Sequence, residues 1–438
     1  MLVSKHRRYL SGQDWVINTL DYMMKSMTSA GNMSQVVLML NACLDGQEVR
    51  ERLNRFVRNF PVLEGTIGRD WKLSPYWKVS QASQRDVSFF ATPLSDLSAP
   101  ASLLPLVEKT ANRRFIDDRE HLVFHYFKSR DRSALALAFD HRIFDARGAE
   151  SFLNLFQQSL GTGQPGGDIA FSSTRALTEW MKKFLAGRNV NRRIIALSKS
   201  SPIAIPLSSE KGRGFKYRLL TFNEEETARI YDRAYQEAGY LLESPFLLAV
   251  VTQAVHELML QRNEGGESYL VPVTMDLRPG KNPLEETFFN HVSYLFYQVP
   301  RAQADDLKGL IAALKQQMYD QVKAGFPKDL AEASLLTRIA PRALLGKLLH
   351  LPLKGKMASF VFSHLGKSSY QSKELMTAGV DTIFHMPRVP VPPGLGFFSN
   401  YYNNKLNLVI SHLDGLLTDD EVNLLEQGIR KRFAAEAR

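Results

Sequence analysis

Strand-like and helix-like segments alternate along both halves of this 438-residue chain. In the first half, the apolar run Val36–Leu40 predicts a buried strand, and residues 47–59 place apolar side chains at helical spacing. Two further apolar runs, 122–127 and 134–139, flank a charged turn and predict a hairpin. A helix-like apolar stripe over 149–160 follows the hairpin. This order is typical of a mixed α/β fold.

The second half continues the same alternation. Its patterns predict helices over 223–239, 245–262 and 305–323, and strands over 269–275, 292–299, 358–363, 380–386 and 405–411. A last helix is predicted to begin at Thr418, which has capping-box spacing to Glu421. We therefore expect two α/β lobes, residues 1–185 and 215–438, joined by a basic linker over 186–214.

Cysteine usage and hydropathy narrow the class of protein. Cys43 is the single cysteine, so an intrachain disulfide is excluded and a reducing compartment is expected. No run of about 18 apolar residues is present, and the basic N-terminal stretch has no apolar segment behind it. We expect a cytoplasmic protein. The histidines lack metal-ligand spacing, and His291, His364, His385 and His412 are predicted core or rim residues, so no metal is expected.

Basic residues are concentrated in two segments of this chain, whose net charge is +10. Residues 182–218 contain ten lysines and arginines against one acid, Glu210, and residues 338–356 contain five and no acid. Such segments attract anionic partners, although a solvated linker has the same composition. As a helix, 338–356 would either rest on a membrane surface or pack against a lobe. No recognition pattern supports nucleic-acid binding.

The segment that joins the predicted strand 134–139 to its helix carries the chemistry. It reads Asp-His-Arg-Ile-Phe-Asp-Ala-Arg-Gly over 140–148. A histidine at the end of an apolar strand is presented towards a cleft, and imidazole is the side chain best matched to taking a proton near neutral pH. His141 is therefore the candidate base, although a single loop histidine is more often structural.

This loop resembles the H-H-x-x-x-D-G signature of the chloramphenicol acetyltransferase-like superfamily, which includes condensation domains, wax ester synthases and polyketide-associated acyltransferases. His141 matches the second histidine and Asp145 the aspartate. Further pieces follow in the family's order and extend the resemblance over nearly the whole chain: Phe60–Leu63, Val271–Pro279, Asn290, Ser363–Gly366 and Pro392–Gly396.

The resemblance implies two similar α/β lobes with a tunnel between them and the signature histidine at its middle. An acyl thioester, on coenzyme A or a carrier protein, would meet a hydroxyl or amine acceptor there, with His141 as general base. Asp145 would pair with Arg278 of the other lobe and support the loop together with Gly148. Asn290, Ser363 and His364 would belong to the tunnel.

Two positions depart from the family's signature. Asp140 stands where the first histidine is expected, and Ala146 replaces the glycine, although Gly148 follows closely. An acid beside His141 raises its basicity or orients the loop, and we include Asp140 among the candidate catalytic residues. His364 replaces an asparagine of the family, on the side where the oxyanion would be stabilised.

Two functions from different classes follow. The first is a stand-alone acyltransferase that moves an acyl group from coenzyme A, the favoured donor, or from an acidic carrier protein to a small or lipid-like acceptor. No permanently bound cofactor is expected, and peripheral membrane contact is possible. The alternative is a catalytically degenerate, condensation-like scaffold protein whose basic segments dock an acidic partner.

Overall fold

The computed structural model describes residues 7–79, 85–162, 179–208, 210–280, 283–350 and 355–435. In chain order, its strands are β1 (Arg7–Tyr9), β2 (Met33–Leu40), β3 (Thr66–Arg69), β4 (Pro75–Lys78), β5 (Ser88–Pro93), β6 (Leu122–Lys128), β7 (Ser133–Asp140), β8 (Phe215–Phe222), β9 (Ser268–Asp276), β10 (Val292–Pro300), β11 (Val361–Lys367), β12 (Glu374–Leu375), β13 (Ala378–His385), β14 (Leu395–Tyr402) and β15 (Lys405–Leu413).

The helices account for most of the remaining described chain. In order they are α1 (Gly12–Met27), α2 (Gly46–Val57), α3 (Pro100–Ala111), α4 (Ala146–Thr162), α5 (Trp180–Leu197), α6 (Glu224–Ala238), α7 (Glu243–Gln261), α8 (Pro283–Thr287), α9 (Leu307–Lys323), α10 (Phe326–Thr337), α11 (Arg342–His350) and α12 (Asp419–Ala434).

Two six-stranded sheets form the frame of the molecule. The first has the order β12-β13-β2-β7-β6-β5, and the second has the order β10-β9-β11-β14-β15-β8. A small third sheet, β1-β4-β3, lies beside them. The predicted mixed α/β class is confirmed, and β6 and β7 form the predicted antiparallel hairpin.

Strand β2 is buried on both faces because its alternate side chains enter two different cores. Val36, Leu38 and Leu40 pack with α2 and α4 residues, whereas Val37 and Met39 belong to the core that contains the second sheet. Side chains of a strand alternate between its faces, so one continuous apolar run can serve both. The first sheet is thus packed on each side.

Strand β13 connects the two halves of the fold. It comes from the C-terminal part of the chain but pairs antiparallel with β2, with His385 opposite Val36. Asn400 and Asn407, on β14 and β15, donate hydrogen bonds of 2.8 and 2.9 Å to the carbonyl of Ile383. These bonds fasten β13 to the second sheet. The lobe boundaries at residues 185 and 215 stay a prediction.

Capping boxes begin several of the helices. Thr418 caps α12 in a capping box with Glu421, as predicted, and Ser11 with Asp14 and Asn223 with Glu226 do the same for α1 and α6. Each box satisfies backbone N–H groups that have no partner within the helix. Within the described ranges, no single helix is long and apolar enough to cross a membrane. Helices α6 and α7 reach the necessary length and apolar composition only when taken together, and the chain bends by 98° between them.

The basic segment 182–218 is divided among several elements. Its first part lies in α5 and its last part in β8, so the predicted linker begins inside a helix. Four of its cations are ion-paired with distant acids: Lys182 and Lys183 with Glu332, Lys216 with Glu108, and Arg218 with Glu426. The charge excess of the sequence is therefore partly neutralised by the fold. Most of the predicted turn at 161–167 lies outside the described residues.

Candidate active site

The His141 loop runs from the end of β7 to the start of α4. The backbone N–H of His141 donates to the carbonyl of Asn32 at 3.1 Å, which ties the loop to the start of β2. Phe144 forms a bridge with Phe289, and the N–H of Phe289 donates to the carbonyl of Ile143 at 2.5 Å. The segment before β10 is thereby held against the loop.

Asn290 fixes the orientation of the His141 ring. Its Nδ2 donates to the backbone carbonyl of His141 at 2.9 Å, which turns its Oδ1 towards His141 Nδ1, 3.1 Å away. An amide oxygen can only accept, so in the neutral ring Nδ1 carries the hydrogen and Nε2 the lone pair. Nε2 has no hydrogen-bond partner among the described residues. Asn290 was predicted in the tunnel; the structure places it behind the imidazole.

Asp145 caps α4 and binds the cation predicted for it. Its carboxylate accepts from Gly148 N–H at 2.9 Å, from His291 N–H at 3.0 Å and from Arg278 at 2.5 Å. Burial alone would raise the pKa of Asp145, but the charge and hydrogen bonds of Arg278 and the backbone donors hold it below the usual value. The carboxylate therefore stays ionised and supports the loop.

Gly148 allows α4 to approach the neighbouring segment. A Cβ at this position would lie 2.3 Å from the backbone oxygen of Thr287. No real Cβ tolerates that distance, so a larger residue would push α4 away from the 283–291 segment. The segment carries Asn290, and its position depends on this close packing.

Asp140 faces the core of the first lobe. Its carboxylate accepts from Arg142 at 2.6 Å and lies 2.9 Å from Nδ1 of His121, whose Nε2 lies 2.8 Å from the carbonyl of Gly65. Burial opposes its ionisation, but the charge of Arg142 and the bond from His121 hold the pKa of Asp140 far below the usual range. Asp140 orients the loop, since its hydrogen bonds go to these residues and not to the His141 ring.

A cavity of about 130 Å³ lies against the His141 loop. Three histidines line it: His141, His364 and His385. Hydroxyl groups line the second-sheet side, where Thr274 Oγ1 and Ser363 Oγ are 2.6 Å apart. Arg147, at the start of α4, forms a 3.2 Å ion pair with Asp276. The cavity wall therefore combines these polar groups with apolar side chains such as Val292, Leu365 and Phe398.

His364 is a neutral polar group in this wall. Burial lowers the pKa of His364 to about 4, and the charge of Arg147 acts in the same direction. Its Nδ1 lies 2.9 Å from Ser399 Oγ. In contrast, His291 and His412 hydrogen-bond to backbone carbonyls, as expected of structural histidines. Within the described part of the chain, no cluster of three or more metal-ligating side chains is found.

Solved structures with this arrangement of sheets were found at low sequence identity. Trichothecene 15-O-acetyltransferase of Fusarium sporotrichioides aligns with a TM-score of 0.71 at 13% identity, covering 98% of this chain and 95% of that chain. The first condensation domain of the calcium-dependent antibiotic synthetase aligns with a TM-score of 0.69 at 14% identity, with the same coverage. Polyketide synthase associated protein 5 from Mycobacterium tuberculosis gives 0.63 at 12% identity over 98% of both chains.

The fold is the one shared by this acetyltransferase and the condensation domain. No family model and no curated protein matches the sequence. The expected two-lobed chloramphenicol acetyltransferase-like fold is confirmed by the two six-stranded sheets and by these structural neighbours.

Within this fold, the structure places His141, Asp145, Arg278, Ser363 and His364 around one cavity. Sequence reasoning did not find that His385 lines the same cavity, nor that Glu150 of α4 binds it at 2.8 Å. These two residues are 235 positions apart, and the sequence pattern around each is that of an ordinary buried strand or helix. No local signal identifies the pair.

Proposed function

We propose that this protein is an acyltransferase that moves an acyl group from a thioester to a hydroxyl or amine acceptor. The observation that carries the proposal is the state of His141. Asn290 holds the proton on Nδ1, and Nε2 has a free lone pair at a cavity. A positioned imidazole of this kind is suited to general-base catalysis.

The reaction follows from that geometry in two proton transfers. His141 Nε2 takes the proton of the acceptor hydroxyl or amine as its oxygen or nitrogen attacks the thioester carbonyl. The tetrahedral intermediate then expels the thiolate, which receives the proton from the imidazolium. Holding both reactants in one cavity makes the encounter an oriented step.

Thr274 and Ser363 are suited to stabilise the oxyanion of the intermediate. Their hydroxyl oxygens are 2.6 Å apart, so one hydroxyl donates to the other. Two hydroxyls carry two hydrogens, and one hydrogen remains for a group in the cavity. A donor fixed in this way before the reaction stabilises the charge that develops on the carbonyl oxygen.

Structural neighbours support acyl transfer as the general reaction. They include an acetyltransferase and condensation domains. The donor is either coenzyme A or an acidic carrier protein, and both are anionic. In the basic segment 182–218, Arg188 and Arg192 of α5 are exposed, whereas Lys182 and Lys183 are bound to Glu332. Arg188 and Arg192 are thus the better positions for testing donor docking.

The test measures thioester consumption with acetyl-coenzyme A and with an acetylated carrier protein, against a panel of small alcohols and amines. Wild-type protein should transfer the acetyl group, and His141→Ala, with an unchanged melting temperature, should lose about 100- to 10,000-fold. Equal turnover by the two proteins removes His141 as the base. No transfer from either donor favours the scaffold alternative.

A further inference from the structure

His385 is a buried histidine with one ring nitrogen engaged and the other free. It ends β13, is 3% exposed, and lines the same cavity as His141. Its Nε2 lies 2.8 Å from Oε1 of Glu150. Its Nδ1 is buried without a hydrogen-bond partner in the described parts of the chain. An unpaired polar atom in such a place is unfavourable until something binds it.

Glu150 determines which nitrogen of His385 carries the hydrogen. Its other oxygen accepts from the backbone N–H of Ser369 at 2.6 Å. Burial would raise the pKa of Glu150, but the hydrogen bond from His385 and the N–H of Ser369 hold it below the usual value. A carboxylate only accepts, so Nε2 of His385 is the donor, and in the neutral ring Nδ1 is an acceptor.

We propose that His385 Nδ1 accepts a hydrogen bond from an O–H or N–H group of the substrate, in addition to the group that attacks the thioester. This inference rests on the proposed function. Two sources share that chemistry: a second hydroxyl or amine of the acceptor, and an amide of the pantetheine arm of the donor. The protein therefore prefers a polar substrate to a plain aliphatic one.

The rest of the cavity wall combines polar groups with apolar side chains, among them Val292, Leu365 and Phe398. His364, kept neutral, and the hydroxyls of Thr274, Ser363 and Ser399 lie on the second-sheet side. A site whose buried polar groups need partners discriminates against analogues that lack them, since binding such an analogue leaves those groups unpaired.

Two substitutions at one position separate the roles of the two nitrogens. His385→Gln places an amide near Nε2, where Glu150 is still bound, and removes the acceptor at Nδ1. His385→Asn places an amide oxygen near Nδ1 and gives up Glu150. A purely structural histidine would be replaced better by glutamine, and a substrate-binding histidine better by asparagine.

The kinetic test uses acetyl-coenzyme A with 1,2-butanediol and with 1-butanol, which differ by one hydroxyl. If the acceptor supplies the hydrogen-bond donor, His385→Gln should lower kcat/KM for the diol about tenfold more than for 1-butanol. His385→Asn should keep most of the wild-type preference for the diol over 1-butanol. Replacing the donor by S-ethyl thioacetate, which has no amide, tests whether an amide of pantetheine is the partner of His385. A loss of kcat/KM in His385→Gln that appears only with acetyl-coenzyme A assigns that role to pantetheine.

A binding measurement keeps the inference separate from the reaction. The Nδ1 resonance of His385 in ¹⁵N spectra, assigned by its loss in His385→Gln, should move on addition of 1,2-butanediol or coenzyme A and not of 1-butanol. If the His385 Nδ1 resonance shifts but no acyl transfer is detected, the binding site is supported and the proposed function is contradicted. An unmoved resonance, or equal losses of kcat/KM with every donor and acceptor, overturns the role of His385.

Discussion

Arg278, which follows β9 of the second sheet, donates a 2.5 Å hydrogen bond to Asp145, which caps α4 behind the first sheet. Its Nη1 donates to Asp276 at 3.0 Å, and its Nε donates to the carbonyl of Glu286 at 3.0 Å. Both partners of the pair are nearly buried, with side-chain exposures of 11% and 5%. One ion pair thus joins the His141 loop to the opposite lobe.

Removing the cation of this pair should destabilise the fold. Arg278→Ala leaves the Asp145 carboxylate buried without its counter-ion, and breaking a buried pair costs about 3–5 kcal/mol. Urea unfolding should show that loss, with activity falling in parallel. Adding Asp145→Asn to the variant should recover part of the stability, because the neutral side chain still accepts from Gly148 N–H. Unchanged unfolding of Arg278→Ala would contradict the pairing.

Asn290 should act on turnover through His141. Asn290→Ala frees the ring to rotate and to place its hydrogen on Nε2, so kcat should fall by about tenfold or more. Asn290→Asp, which still offers an acceptor to Nδ1, should retain more activity. In a His141→Ala background, Asn290→Ala should cause no further loss of kcat, because residues that act as a unit are not additive. Additive losses would argue for a separate role of Asn290.

Two glycines of α4 provide a matched pair of substitutions. Gly148→Ala should destabilise the protein by about 1–3 kcal/mol, because its methyl group would overlap the carbonyl of Thr287. Gly161→Ala lies in the same helix, and no atom of the described residues is within 4 Å of the new Cβ, so it should be neutral or stabilising. Thermal unfolding of the two variants compares them directly. Equal melting temperatures would show that α4 moves aside without cost.

His364 makes stability depend on pH in a defined window. Its pKa is lowered from 6.5 to about 4 in the folded protein, so the unfolded chain binds the proton first as pH falls. Its contribution to stability is complete above about pH 6.5 and is lost progressively down to pH 4, on the order of 3 kcal/mol. His364→Gln should flatten the melting temperature between pH 7 and 5. His125, whose pKa is also lowered to about 4, leaves a residual slope in both proteins. An identical profile would contradict the assignment.

The sequence by itself determined several of the elements and the loop that carries His141. Strand β2, the β6–β7 hairpin, α4 and the start of α12 follow from apolar periodicity and a capping box. These are short-range signals, because side-chain direction repeats with the local backbone geometry. The resemblance added the pair of Asp145 and Arg278, which the structure contains.

Only the tertiary structure decided what surrounds that loop. Asp140 binds His121 and Arg142 in the core. Asn290 contacts His141, which is 149 positions away in the sequence. Strand β13 pairs with β2, which is also distant in the sequence. The same crossing brings His385 to Glu150 and to the cavity. A periodic pattern reports which face of an element is buried, but it does not specify which distant side chain meets it there. That choice depends on the path of the whole chain, which sets which elements become neighbours.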